Sequence, residues 1–198
     1  MAASHNQDIQ LFNIAVLQRF QVYKSLAWLN ELPEAEARKV LLDCCGSPEW
    51  ADRMIKERPF RMLEGLFLAA DAIWFSLTPA DWLRAFAAHP KIGSTDSAAA
   101  NTRASEWSAG EQAGTAKADK KVKKQLAEAN GLYEEKFGFI FIVCATGRSA
   151  EEMLEMCKAR LRNRLGTEMM IAAEEQRKIT ELRLNKLLEN ELHYNTRA

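Results

Sequence analysis

Apolar residues recur at helical spacing wherever the pattern in this chain is legible, and one run, Phe137 to Ala145, departs from it. Leu11, Ile14, Ala15, Leu17 and Phe20 follow a helical repeat. After Pro33, the stretch Glu34 to Cys45 places Ala37, Val40, Leu41 and Cys44 on one face. Gly46-Ser47-Pro48 stops that helix, with Gly46 as its C-cap and Ser47 capping the next one. Trp50 to Lys56 predicts a short helix broken before Pro59, and Met62 to Phe75 carries a broad apolar face. Thr78 and Pro79 open a helix through Trp82, Leu83, Phe86 and Ala87 that runs into His89, where Pro90 and Gly93 end it. Residues 94–104 read as a connection. Glu111, three positions after Ser108, completes a capping-box pattern, and residues 115–136 form a polar helix. Ser149 caps a helix through Leu161, and a last one covers 168–188. The run Phe-Gly-Phe-Ile-Phe-Ile-Val-Cys-Ala suits a strand or a buried extended segment. The expectation is an all-α, single-domain helical bundle with a short extended segment near 137–145 and no repeat of fixed period.

The 198 residues suffice for one hydrophobic core, with 47% hydrophobic and 27% charged residues. Lys+Arg and Asp+Glu both number 27, so no global field attracts nucleic acid or an anionic membrane. The lysines from Lys117 to Lys124, with Asp119, Glu128, Glu134 and Glu135 nearby, read as a solvated face. No apolar run approaches the roughly eighteen residues of a membrane span. The four cysteines, Cys44, Cys45, Cys144 and Cys157, lack CxxC spacing, and the histidines are His5, His89 and His193. No metal site is expected from so few ligands. Cys44-Cys45 is either a redox device or, more plainly, two small apolar residues at a helix end. The chain reads as intracellular and reduced: cytoplasmic, or peroxisomal if eukaryotic, although its C-terminus is not Ser-Lys-Leu.

Three residues stand out chemically. His89, alone among the histidines, lies well inside the core-forming region; it is either a packed residue with one satisfied nitrogen or an acid/base group working near neutrality. Glu111 either completes a helix cap or orients an imidazole or a substrate N–H. Arg183, flanked by leucines, either snorkels to solvent or presents its fork to a planar carboxylate or ureido group.

Five segments in order carry a resemblance: Leu41 to Ser47, His89-Pro90-Lys91-Ile92-Gly93, Ser108 to Gln112, Phe137 to Ala145, and Lys178-Ile179-Thr180-Glu181-Leu182-Arg183-Leu184. Together they resemble the 2-oxo-4-hydroxy-4-carboxy-5-ureidoimidazoline (OHCU) decarboxylases over about Leu29 to Asn190. The form of the 137–148 stretch looks especially like the decarboxylase half of plant-type allantoin synthases. The resemblance divides the chain into a helical N-terminal extension (1–28), the decarboxylase-like domain (29–190) and a tail (191–198). It implies a homodimer that makes (S)-allantoin late in urate breakdown. It assigns catalysis to His89, Glu111 and Arg183. It assigns the substrate site to Pro90, Ser108, Gln112 and the backbone of Phe141, Ile142, Val143, Cys144 and Ala145. His89 would supply the stereospecific proton or handle the hydroxyl proton, Glu111 would hold His89, and Arg183 would anchor the carboxylate or ureido group. No cofactor is expected, because the substrate's own C=N bond takes up the electron pair and no glycine-rich phosphate cradle occurs. A transthyretin-like hydroxyisourate hydrolase, fused or separate, is the expected companion. The alternative is a helical module of the same build that binds a ureide, or a partner protein, without turnover.

Overall fold

The computed structural model describes residues 24–92, 103–116 and 118–195. Residues 1–23, Gly93, the 94–102 part of the connection, Lys117 and residues 196–198 lie outside the described residues.

Helix α1 covers 24–31, and α2 covers Glu34–Cys44, burying Ala37, Leu41 and Cys44 as its spacing predicts. Its C-cap is Cys45 rather than Gly46. Gly46 meets a different need: a Cβ there would stand 2.3 Å from the Ala88 Cβ. Only glycine lets this corner press against the residue before His89. Ser47 accepts from the Trp50 N–H at 3.3 Å and opens α3, Pro48–Lys56. Helix α4 spans Leu63–Ser76. Helix α5, Pro79–Ala87, begins in a reciprocal Thr78–Asp81 capping box with proline in its first turn.

Three buried indoles fasten these helices. Trp50 Nε1 donates to the Ala70 carbonyl at 3.0 Å, and Trp82 Nε1 to the Trp74 carbonyl at 2.9 Å. Trp74 Nε1 reaches the Ala173 carbonyl at 2.9 Å, on the long final helix α10, Leu165–Asn195. Each ring buries a large apolar surface while its one polar atom stays satisfied. Helix α10, longer than the expected 168–188, packs against α2, α4 and α5.

The middle of the chain differs more from expectation. Ser108 and Glu111 both lie inside α6, Arg103–Glu111, so they do not form a cap. The single polar helix expected over 115–136 is two: α7, Ala113–Ala116, and α8, Lys120–Phe137, newly capped by Asp119. Gly138 ends α8 in the left-handed region with φ 77°. Helix α9, Ala150–Arg160, starts in a Ser149–Glu152 capping box.

No strand forms among the described residues. Phe139, Phe141, Ile142, Val143 and Ala145 are nonetheless buried, so their backbone needs partners other than a ladder. Side chains supply them. Arg160 Nη1 donates to the Ile142 carbonyl at 2.8 Å, the Cys144 N–H donates to Glu175 Oε2 at 2.8 Å, and Arg148 Nε donates to the Cys144 carbonyl at 3.1 Å. Arg160 is itself braced: its Nε donates to Glu168 Oε1 at 2.6 Å, and its guanidinium lies 4.7 Å from the Phe141 ring centroid. Tyr133 donates to the same carboxylate oxygen, and Asn163 Nδ2 to its other oxygen at 2.6 Å. Glu168 is fully buried, and this set of donors offsets the cost of taking its polar oxygens out of water.

Candidate active site

His89 lies just past α5, its N–H still bonded to the Phe86 carbonyl at 3.1 Å. The segment after it is pinned to α8: Asn130 Nδ2 donates to the Ile92 carbonyl at 3.2 Å, and Lys91 pairs with Glu134 at 2.7 Å. A cleft of about 340 Å³, including its open mouth, forms beside it. His89, Pro90 and Ile92 make one wall, and Ser108, Glu111 and Gln112 make a second; Phe141, Ile142, Val143 and Ala145 form a third, and Ile179 comes from α10. Segments far apart in sequence thus meet at one concave, mixed apolar and polar surface of the kind that binds small molecules.

The half-buried His89 ring places Nε2 2.7 Å from Gln176 Oε1. Burial pushes its pKa down, the nearby Arg183 charge adds to this, and the Gln176 bond and Glu111 oppose it; the result is about 4. At neutral pH the ring is therefore uncharged and has a lone pair to offer.

Glu111 is held in a fork. Arg183 Nε donates to its Oε1 at 3.1 Å and Arg183 Nη2 to its Oε2 at 2.9 Å, while Lys186 Nζ reaches Oε1 at 3.1 Å. Burial raises the Glu111 pKa, but Arg183 and Lys186 outweigh it and hold the carboxyl ionised below its usual range. Arg183 Nη2 also donates to Ser108 Oγ at 2.8 Å, and Nη1 to the Asp43 carbonyl at 3.3 Å. Ser108 in turn donates to the Ala104 carbonyl at 2.9 Å.

Most of the expected site residues converge, with three differences in geometry. Arg183 is buried behind the lining, its fork turned to Glu111, Ser108 and Asp43 rather than into the cleft. The partner of His89 is Gln176, while the carboxylate of Glu111 faces Arg183 and Lys186. Cys144 is absent from the lining, and its N–H is already committed to Glu175. Sequence reasoning missed Gln176, Thr180 and Lys186, and it did not place Ile92 or Ile179 at the cleft. The signal was present: Gln176, Ile179, Thr180 and Arg183 share one face of α10 at helical spacing. Cys44 and Cys45 are free and buried, the plain packing reading; burial pushes the Cys45 thiol up to about 11. Among the described residues no three or more His, Cys, Asp or Glu side chains gather to hold a metal ion. No helix there is long and apolar enough to cross a membrane.

Comparison with known proteins adds a family to this geometry. The chain is 47% identical over 146 residues to the uric acid degradation bifunctional protein TTL of Arabidopsis thaliana, covering 73% of this chain and 45% of that protein. It is 32% identical over 101 residues to the 2-oxo-4-hydroxy-4-carboxy-5-ureidoimidazoline decarboxylase of Amia calva, covering 51% and 58% respectively. The chain thus spans about half the length of these curated relatives. A crystal structure of OHCU decarboxylase in the presence of (S)-allantoin superposes with a TM-score of 0.65 and 43% identity, over 75% of this chain and 96% of that one. The family model described as OHCU decarboxylase matches residues 30–185, from α1 to the turn of α10 that carries Arg183, and the chain belongs to that family.

Proposed function

We propose that this chain decarboxylates OHCU to (S)-allantoin, with the reaction taking place in the cleft beside His89. The observation that carries the reading is the placement, on one cleft, of the His89 imidazole and of the Glu111 carboxylate, which Arg183 and Lys186 hold at 2.9 and 3.1 Å. Loss of CO2 breaks the bond from the carboxylate to C4. Its electron pair forms a C4=C5 double bond, and the C5=N pair moves to the ring nitrogen, which takes a proton. The resulting enol then loses its hydroxyl proton as C5 gains one, so the whole sequence consumes one proton and releases CO2.

His89 is neutral at pH 7, so it takes a proton before giving one. The ring acts as a shuttle: it accepts the enol hydroxyl proton and returns it to C5 on a single face. Glu111, Arg183 and Lys186 together carry one net positive charge, which offsets the charge of an anionic substrate and of the developing enolate. In this reading Arg183 acts through Glu111 and Ser108, while Pro90, Gln112 and the 141–145 segment shape the cleft around the ring. A homodimer and a companion hydroxyisourate hydrolase, fused or separate, belong to the same proposal; the bifunctional name of the Arabidopsis thaliana relative supports the companion. The free thiols suit an intracellular setting, cytoplasmic or peroxisomal.

The test is circular dichroism of freshly made OHCU with and without the protein, since spontaneous decay gives racemic product. His89→Ala and His89→Asn are each expected to lose roughly 10²–10⁴-fold in rate. A wild-type rate of (S)-allantoin formation in either variant sinks the proposal. Binding of allantoin without any acceleration favours a ureide-binding module instead.

A further inference from the structure

The partner of His89 is an amide whose orientation is itself determined by a neighbour. Thr180 Oγ1 lies 3.0 Å from the Gln176 carbonyl one turn back on α10, and donates its proton there. Toward the Gln176 side chain, 3.2 Å away, the same hydroxyl acts as acceptor, so the amide end facing it is the NH2 group. The other end, Oε1, then faces His89 Nε2 at 2.7 Å. A carbonyl oxygen only accepts, so Nε2 carries the ring proton. Turning the amide over would draw the Thr180 proton away from the backbone and leave two bonds where the observed arrangement makes three. Gln176 is fully buried and Thr180 is 6% exposed, so bulk water is not available to compensate.

We infer that Gln176 and Thr180 are positioning residues that lock the His89 ring in the tautomer protonated on Nε2 and bare on Nδ1. Nδ1 is then the single basic atom His89 offers to the cleft. Neither residue lines the cleft; both act through the imidazole. The kinetic part rests on the proposed decarboxylation, whereas the tautomer is a property of the protein alone.

The test is a long-range ¹H–¹⁵N correlation spectrum of the ¹⁵N-labelled full chain at neutral pH without substrate, with His89→Asn used to assign the ring signals. The expected result is Nδ1 at the shift of a bare nitrogen and Nε2 at that of a protonated one. Thr180→Val keeps the side-chain shape but removes the hydroxyl, and is expected to give a mixture of tautomers; Thr180→Ser restores the single form. With OHCU, Thr180→Val is expected to lower kcat at least roughly tenfold with KM little changed. A wild-type spectrum with Nδ1 protonated overturns the inference. So does an unaltered ring spectrum in both Thr180→Val and Gln176→Leu, or an altered tautomer with wild-type kcat. Should the wild-type chain fail to decarboxylate OHCU, the spectra still decide the tautomer.

Discussion

Two arginine–glutamate pairs border the 139–145 segment, one bonded to its backbone and one sharing the cleft with it, and they differ in what the carboxylate faces. Arg160–Glu168 is sealed: Glu168 is fully buried, and its oxygens are taken up by Arg160, Tyr133 and Asn163. Arg183–Glu111 is slightly longer, at 2.9 Å against 2.6 Å, and its Glu111 lines the cleft. The first pair holds backbone in place, through the bond from Arg160 to the Ile142 carbonyl. The second presents a charge to whatever enters. In the proposed reaction the same kind of ion pair is thus a brace where its carboxylate is sealed and a working group where it meets the open space.

Breaking the brace should have the largest effect. Glu168→Leu leaves Arg160 buried without its counter-ion, and is expected to cost about 3–5 kcal/mol in denaturant unfolding. Replacing both members, as in Arg160→Met with Glu168→Leu, should recover much of that loss, because no unpaired charge remains. If the single substitution costs less than about 1 kcal/mol, the brace is not what holds the segment.

The cleft pair should behave in the opposite way. Glu111→Gln is expected to lower kcat/KM by roughly 10²–10³-fold with a smaller stability cost than Glu168→Leu. Adding Arg183→Met should not restore activity, since the working charge is what has been lost. Recovery of turnover in that double variant would make Glu111–Arg183 a second brace and remove the distinction.

Acid should act through His89. Its folded pKa is depressed from 6.5 to about 4, so below pH 6.5 the unfolded chain binds a proton that the folded ring refuses. Stability from this group is present above about 6.5 and falls as pH drops towards 4. His89→Asn should flatten that part of the stability profile in thermal melts at matched pH values; an unchanged slope would mean the ring is not shielded.

Lys186 should show the smallest effect. Its side chain is one-third exposed, so Lys186→Met is expected to change stability by less than about 1 kcal/mol. It should raise KM a few-fold in a salt-sensitive manner, as titration of initial rates with added chloride would show.

Much of the fold was legible locally. Ser47, the Thr78–Asp81 box, Ser149 and the prolines at 48 and 79 mark helix starts, because a cap is a contact between residues within one turn of each other. The same locality explains one failure. A serine followed three residues later by a glutamate satisfies a capping box, and equally places both side chains on one face of a continuing helix. For Ser108 and Glu111 the choice was made by Arg183, 75 and 72 residues away. Locally Gly46 reads as a cap for a similar reason; its constraint is Ala88, met only when the turn after α2 and the end of α5 come together.

The sequence by itself determined the helical class, most helix boundaries, the extended run after Gly138, and through five ordered segments the family. Periodicity and capping are short-range, and they survive without knowledge of the fold. Only the tertiary structure decided where charge and hydrogen bonds go. It turned Arg183 onto Glu111 rather than into the cleft, engaged the Cys144 N–H with Glu175, and gave His89 the amide of Gln176, 87 residues away. A buried polar atom must find a partner among the groups that packing brings within about 3 Å, and no local pattern in the chain names that partner.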